Sequence, residues 1–428
     1  MKNRCASMSA LCIVYSFLIT GCSIFKNQSK PHSLNITNPS AIERADELVI
    51  LKRELIEQKL GKLAEGQFVQ VNKDQSKPMT VQFDDLNNDG KWDEAVFLNT
   101  FQPTESVKFQ LSSTSSRVND AMVRAHVRMR KKNADNTFGP LLDSVTVPGV
   151  TPPTDFNKQK LPPYLTEGPA WENDKVAFRI YMDTRNTKDI FGKRTHTMMM
   201  DTVGVIPENI YHHLAPWGMD ILAVGKSLGA GSLALSVPTA NGKDTLVRLG
   251  GLNVGQITYE KVADGPVRAI FRMHYSNWQP INNAAPINVT EEISISAGKY
   301  YYQSAVTVAG APAGTKLVTG IVNLKSKSSK EQTIANCRVL STYDLQSENK
   351  DMLGLAILVK SNNFSSFGKT PNAESEVLNT YTVSMPVSAE FRFVSGWEKS
   401  DLLFTKEESF LKYLENESIK YGSTIIIK

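Results

Sequence analysis

QITYEKVADGPVRAIFRMHYSNW, residues 256–278, and INVTEEISISAGKYYYQSAVTVAG, residues 287–310, alternate apolar and polar side chains over long stretches. A strand sends successive side chains to opposite faces, so such a run buries one face and wets the other, as antiparallel sheets do. Ala263-Asp264-Gly265-Pro266 and Ala297-Gly298-Lys299 interrupt the two runs with turn-forming residues, which makes each run a hairpin. Outward from this centre lie SLALSV (232–237), TLVRLG (245–250), KLVTGIVNL (316–324), LGLAILVK (353–360), NTYTVSMPV (379–387) and AEFRFVSGW (389–397). So many strands with little helix between them require a large two-sheet sandwich to bury their faces. We assign it residues 118–428. Near its end KEESFLKYLENESI, residues 406–419, places Phe410, Leu411, Tyr413 and Leu414 at helical spacing with acids in the first turn, predicting one helix before the last strand, TIIIK.

Toward the N-terminus the same period returns in ELVILK, GQFVQVN, MTVQFDDL, EAVFLNTF and SVKFQLSS, with a short helix predicted at Arg53–Leu60. Strands at this spacing predict a small β-sandwich over residues 47–117. The fold class is therefore mostly β: a small N-terminal sandwich, a large antiparallel super-sandwich and one C-terminal helix.

The chain begins with Lys2 and Arg4, an apolar run from Leu11 to Ile19, and Ile19-Thr20-Gly21-Cys22. A basic start, a short apolar stretch and small residues before a cysteine predict a bacterial lipoprotein export signal, too short for a membrane span of roughly 20 residues, the competing account being an ordinary secretory signal with a coincidental cysteine. Residues 1–21 would be removed and Cys22 would carry lipid at the cell envelope, on a polar tether of residues 22–46. Cys5 and Cys12 leave with the signal, so Cys337 stands alone and no intramolecular disulfide forms. Loss of Lys2 and Arg4 lowers the formal charge from +5 to +3. That is no concentrated basic face, and nucleic acid is excluded as a partner.

DDLNNDGKWDE, residues 84–94, is the sharpest local motif. Asp85, Asn87 and Asp89 alternate before Gly90, a pattern that turns oxygen ligands inward around a hard cation, with the Lys91 carbonyl and Asp93 continuing the shell and Glu94 as an alternative. Calcium in a structural role is the expectation. Its twelfth position is Val96 rather than Glu, unlike an EF-hand, and the competing account is an Asx-rich turn without an ion. In the strand around residues 118–132, Arg124, His126, Arg128 and Arg130 share one face, expected to be a solvated sheet surface. The proline-rich residues 147–165 are expected to form a loop.

Between these parts, residues 167–232 hold three of the six histidines and two of the five tryptophans. Tyr211, His212, His213, Trp217 and Asp220 lie in a glycine- and proline-punctuated loop, where a scaffold presents polar groups to a ligand. Val224-Gly225-Lys226-Ser227 lacks the first glycine of a phosphate-binding loop, and no HExxH offers a catalytic zinc site.

QFDDLNNDGKWDE (82–94), EGPAWENDKVAFRIYMDTRNTKDIFGK (167–193), WGMDILAVGKSLG (217–229), VADGPVRAIFR (262–272), EEISISAGKYYYQ (291–303) and SGWEK (395–399) together resemble a family of secreted proteins of unknown function from polysaccharide-degrading bacteria. That family is similar in outline to galactose-mutarotase-like super-sandwiches. The resemblance implies a carbohydrate partner, with unsaturated or uronic-acid-containing oligosaccharides foremost, and it carries over no catalytic residues. A uronide-processing site needs a cation beside the carboxylate, a base at its α-proton and an acid at the leaving oxygen. Arg185, Lys193 and Arg194 are candidates for the cation. Tyr211, His212, His213, Asp220 and Tyr275 are candidates for proton transfer, and Trp217 and Trp278 for platforms under a sugar ring. For each of these residues a hydrogen-bonded structural role, or for tryptophan the core, is the competing account. Two functions follow: an enzyme acting on acidic oligosaccharides by elimination, hydrolysis or epimerisation, or a non-catalytic glycan-binding lipoprotein.

Overall fold

In the computed structural model, residues 32–73, 77–117, 121–207, 211–238, 244–281, 284–370 and 376–428 are described. The export signal, Cys22 and the first part of the tether lie outside them. The strand pairings are antiparallel throughout, as the period-two runs require. Nine strands form the central sheet, in the order Ser144–Pro148, Gln256–Ala263, Arg268–Trp278, Ile287–Ser296, Tyr301–Ala309, Ala389–Trp397, Leu353–Lys360, Cys337–Asp344, Lys330–Ile334. Both hairpins predicted from the opening runs are present in it.

Two five-stranded sheets share one core with this sheet. One orders Asp244–Arg248, Ala230–Pro238, Lys316–Val322, Thr380–Met385 and Ser366–Lys369; the other orders Gly218–Asp220, Lys188–Lys193, Val176–Ile180, Ala170–Asn173 and Ala125–Arg128. Trp171, Phe178, Ile190, Leu235, Phe271, Tyr302, Ile357 and Phe393 meet between the layers. The other face of the nine-stranded sheet is covered at one end by the helix Glu407–Gly422, whose Phe410 and Leu414 pack on Val339, Leu358 and Val394.

The small domain is a sandwich of a four-stranded and a three-stranded sheet, with Leu34, Val71, Phe97, Phe101 and Phe109 in its core and the helix Arg53–Leu60 where expected. It departs from the sequence reading at both ends. Residues 32–37 were assigned to the tether, yet His32–Thr37 is a strand between Ser106–Thr114 and the C-terminal Ile426–Ile427. Leu34 and Ile36 drive this: they alternate in HSLNIT and are fully buried, an apolar period too short to register against its polar neighbours. The C-terminal strand, placed in the large domain by sequence order, thus completes the small one.

The face of Ala125–Arg128 is also not solvated. Arg128 is fully buried and donates to the carbonyls of Leu165, Met200 and Gly168 and to Thr166 Oγ1. Burial pulls its pKa down to about 10. Arg124 pairs with Asp46 and Asp174, His126 lies between Asp264 and Asp201, and Arg130 donates to the carbonyls of Phe138 and Gly139. Charge alternation reports which face is polar, not whether that face is wet.

Candidate functional site

The sheet containing Val176–Ile180 has two unlike faces. Val176, Phe178 and Ile180 enter the sandwich core, while Ala177 and Arg179 point to the opposite side, which Met199, Met200, Val203, Tyr211 and Trp217 help to cover. Cross-strand register puts Arg179 opposite Asp189 and Phe191 opposite Asp220, so the charged residues of three adjacent strands gather on that covered face. Charges withdrawn from water must be paired, and these are.

Arg179, 1% exposed, is the hub. Its Nη2 donates to Asp189 Oδ2 at 2.7 Å, Asp220 Oδ2 at 2.8 Å and Tyr181 Oη at 2.6 Å, while Nη1 reaches Tyr211 Oη at 3.2 Å and lies 3.7 Å from Glu167 Oε2. The rings of Tyr181, Phe191 and Tyr211 surround the guanidinium at 4.4, 5.2 and 5.3 Å. Arg185 extends the network outward, binding Glu167 Oε1 at 2.6 Å and Asp183.

Glu167 reaches this network through unusual backbone. Thr166 and Glu167 are consecutive residues with positive φ, 50° and 66°. Non-glycine residues there are strained, and such strain persists where surrounding structure over-determines it, commonly at functional sites. Gly168 follows because a Cβ there would stand 2.1 Å from the Ile180 carbonyl oxygen. The turn is thereby pressed against the strand that carries Arg179.

His212 is the exposed end of the cluster. Its Nδ1 lies 3.6 Å from Asp220 Oδ2, and its side chain is 62% exposed. Burial, and then Arg179, lower its pKa from the ordinary value, so the imidazole is neutral at neutral pH. Asp220 is shifted the other way: burial, and then neighbouring Asp189, raise it well above the usual carboxylate range against the pull of Arg179. Tyr211 is also raised by burial, which disfavours it as a base. A cavity of about 230 Å³ opens here, lined by Phe156, Lys160 and Pro162, by Ile206 and Pro207, and by Thr166, Tyr211 and His212. Lys160 has no ion-pair partner among the described residues.

The structure thus brings together Tyr211, His212, Asp220 and Arg185. It separates the rest. His213 is exposed outside the Arg179 network. Lys193 is buried on Glu172 at 2.5 Å, with its pKa lowered by burial. Arg194 is exposed and its Nη1 contacts the Ala215 carbonyl at 3.4 Å. Trp217 is half-buried near Phe191. Tyr275 lies in the main core with its hydroxyl on Asn186 Oδ1 at 3.0 Å, and Trp278, 1% exposed, has no ring face open to a sugar. Glu167, Arg179, Tyr181, Asp189 and Lys160 were not singled out from sequence. The visible signal for Arg179 and Asp189 was charge alternating with apolar residues in strands whose other face is core.

The aspartate loop lies elsewhere, at the junction of the two domains. Asp85 accepts from the amides of Asp89 and Gly90, Asn87 from Asp89, Asp89 from Lys91, and Asp93 from Leu86. Gly90, at φ 85°, makes the bend. Glu94 binds Arg268 at 2.8 Å instead of turning into the loop. Among the described residues no three His, Cys, Asp or Glu converge as a metal cluster. The donor set of Asp85, Asn87, Asp89, Asp93 and the Lys91 carbonyl still matches a hard cation in chemistry, since each oxygen keeps a lone pair beyond its amide bond.

This layered β architecture is shared with solved structures. An α-mannosidase from Enterococcus faecalis V583 matches with TM-score 0.50 and 11% identity, over 94% of this chain and 46% of that one. A protein in glycosyl hydrolase family 38 from Enterococcus faecalis matches with TM-score 0.50 and 10% identity, over 94% and 47%. The chain spans about half the length of these structures. It belongs to the family described as domain of unknown function DUF4861, whose pattern matches residues 36–427. It is similar, at 21% identity over 319 residues and 70% of each chain, to the uncharacterised protein P7 of Formosa agariphila.

Proposed function

We propose that this protein is a carbohydrate-active enzyme of the bacterial cell envelope that processes acidic, uronic-acid-containing oligosaccharides in the cleft over His212. The observation that carries the reading is the pairing of His212, exposed in a cavity and held neutral, with the buried Asp220–Arg179–Asp189 network behind it. The architectural likeness to an α-mannosidase supports a sugar as substrate. A neutral imidazole beside a supporting carboxyl is competent to take up a proton. Lys160 is the uncommitted cation of the cleft, placed to meet a substrate carboxylate, whereas Arg185 is already paired with Glu167 and Asp183.

Hydrolysis of a glycosidic bond calls for two carboxyl groups flanking it. The acids here are bound to Arg179 and Arg185 beneath the cleft. Abstraction of the proton beside a uronate carboxylate, giving elimination or epimerisation, therefore suits the cluster better. Binding without turnover, the lectin-like alternative, does not call for a neutral imidazole beside that network. The test is incubation with saturated and unsaturated acidic oligosaccharides, reading products by mass, by double-bond absorbance and by proton NMR for configuration. A new double bond marks elimination, a changed stereocentre at constant mass marks epimerisation, and saturable binding with no product rejects the enzyme reading. Anchoring by lipid on Cys22 is checked separately: Cys22→Ala should move the protein from the membrane fraction to the soluble one, and a variant that still pellets with membranes contradicts it.

A further inference from the structure

A cavity of about 670 Å³ lies away from His212, in the small domain, between the helix Arg53–Leu60 and the aspartate loop. It continues into a second of about 530 Å³ at the domain junction, the two sharing Gly90, Trp92 and Arg117. A space of this size accommodates a short oligosaccharide. Its wall pairs rings with cations. Phe83 lies 4.9 Å from Phe68 and 5.3 Å from Trp92, centroid to centroid; the Arg117 guanidinium stands 4.3 Å over Phe68 and that of Arg53 4.7 Å over Trp92.

The charge on that wall is unbalanced. In the first cavity Arg53 is paired with Glu57, while Lys62, Lys91 and Arg117 form no salt bridge among the described residues, against Glu65 as the one further acid; the second cavity adds Asp84, paired with Arg268, Asp264, paired with His126, and Asp85. Exposed cations next to aromatic faces recognise ligands that carry both an anionic group and an apolar ring face, which is the chemistry of a carboxylated or sulfated sugar. The cations are on the small domain, distant in sequence and sheet from His212. We infer that this groove is a second binding site, for an anionic oligosaccharide, separate from the His212 cleft. That its occupant is a sugar rests on the carbohydrate reading above; that it is anionic rests on the groove alone.

The experiment is calorimetric titration of the full chain with tetragalacturonate (carboxylate only), a heparin-derived tetrasaccharide (sulfate and carboxylate) and maltotetraose (neutral). The variants are Lys62→Ala/Arg117→Ala, Lys91→Ala and His212→Ala, each checked by melting temperature. At least one anionic probe should bind wild type. The double variant should weaken it tenfold or more and Lys91→Ala less, whether or not His212→Ala is also present. The stronger of the two anionic probes identifies the group recognised. Absence of binding by both, equal binding of maltotetraose, or loss on His212→Ala with none on the double variant overturns the inference. Because the readout is the loss of binding on substituting groove residues, its failure leaves turnover at His212 unaffected as a test of the proposed function, and the reverse also holds.

Discussion

His126 shows how a single side chain in this protein ties pH to stability. Burial works against its charge, yet Asp201 at 3.2 Å and Asp264 at 2.9 Å raise its pKa from the ordinary 6.5 to about 10. A group whose folded pKa lies above its unfolded value stabilises the fold fully below the unfolded pKa and loses that contribution as pH rises through the folded one. Denaturant stability should therefore fall between about pH 6.5 and 10. His126→Gln should cost about 1 to 3 kcal/mol at pH 6 and flatten that decline, measured by urea unfolding at several pH values; a variant with the wild-type slope would show the pairing to be idle. In the sequence His126 was visible only as one member of a basic face. Its partners lie 75 and 138 positions away, at Asp201 and Asp264, and no local pattern joins them. His212 was legible because it sits in a loop with other titratable groups, whereas Arg179 was not, because its role depends on a cross-strand partner, Asp189, and on Asp220 one strand beyond.

At the scale of elements, the aspartate loop connects domains as well as strands. Arg272 donates to the Leu86 carbonyl at 3.0 Å and Asn88 to Glu260 at 2.9 Å, so ordering the loop also orders the junction. We propose that calcium fills it. A bound ion stabilises the fold by roughly 2.7 kcal/mol at a hundredfold excess over its Kd, so chelation should lower the melting temperature and calcium restore it. A melting curve indifferent to both leaves an Asx turn held by its amides alone. Strand identity was the most legible feature at this scale: the burial of Ile287–Ser296 alternates along nearly its whole length, as its sequence does. Less legible was the outer face of Val176–Ile180 and Lys188–Lys193, where every position is buried. Alternation separates two faces, but only the tertiary fold determines that a loop covers the polar one.

For the whole molecule, the organisation follows from which faces remain to be covered. The nine-stranded sheet takes two smaller sheets on one side and a helix on part of the other, and this much is written in long period-two runs with one late helical period. The closure of the small sandwich by Ile426–Ile427 is not, since a two-residue strand carries no period and its partner lies at the opposite end of the chain. The domains are then joined by polar contacts: Arg268 reaches Asp84 and Glu94, and Gln82 bonds the backbone of Val267 and Arg268. This arrangement leaves the His212 cleft on the outer face of the large domain and the basic groove on the small one. The measurement that bears most directly on the account is the turnover of uronic-acid oligosaccharides by wild type and His212→Ala, over a range of pH. Wild-type activity should rise through a pKa below the ordinary histidine value, as its direction of shift requires. His212→Ala should lose roughly 10²- to 10⁴-fold in rate while keeping its melting temperature within a few degrees, since an exposed side chain contributes little to stability. A folded His212→Ala protein that turns over substrate at the wild-type rate would contradict the account.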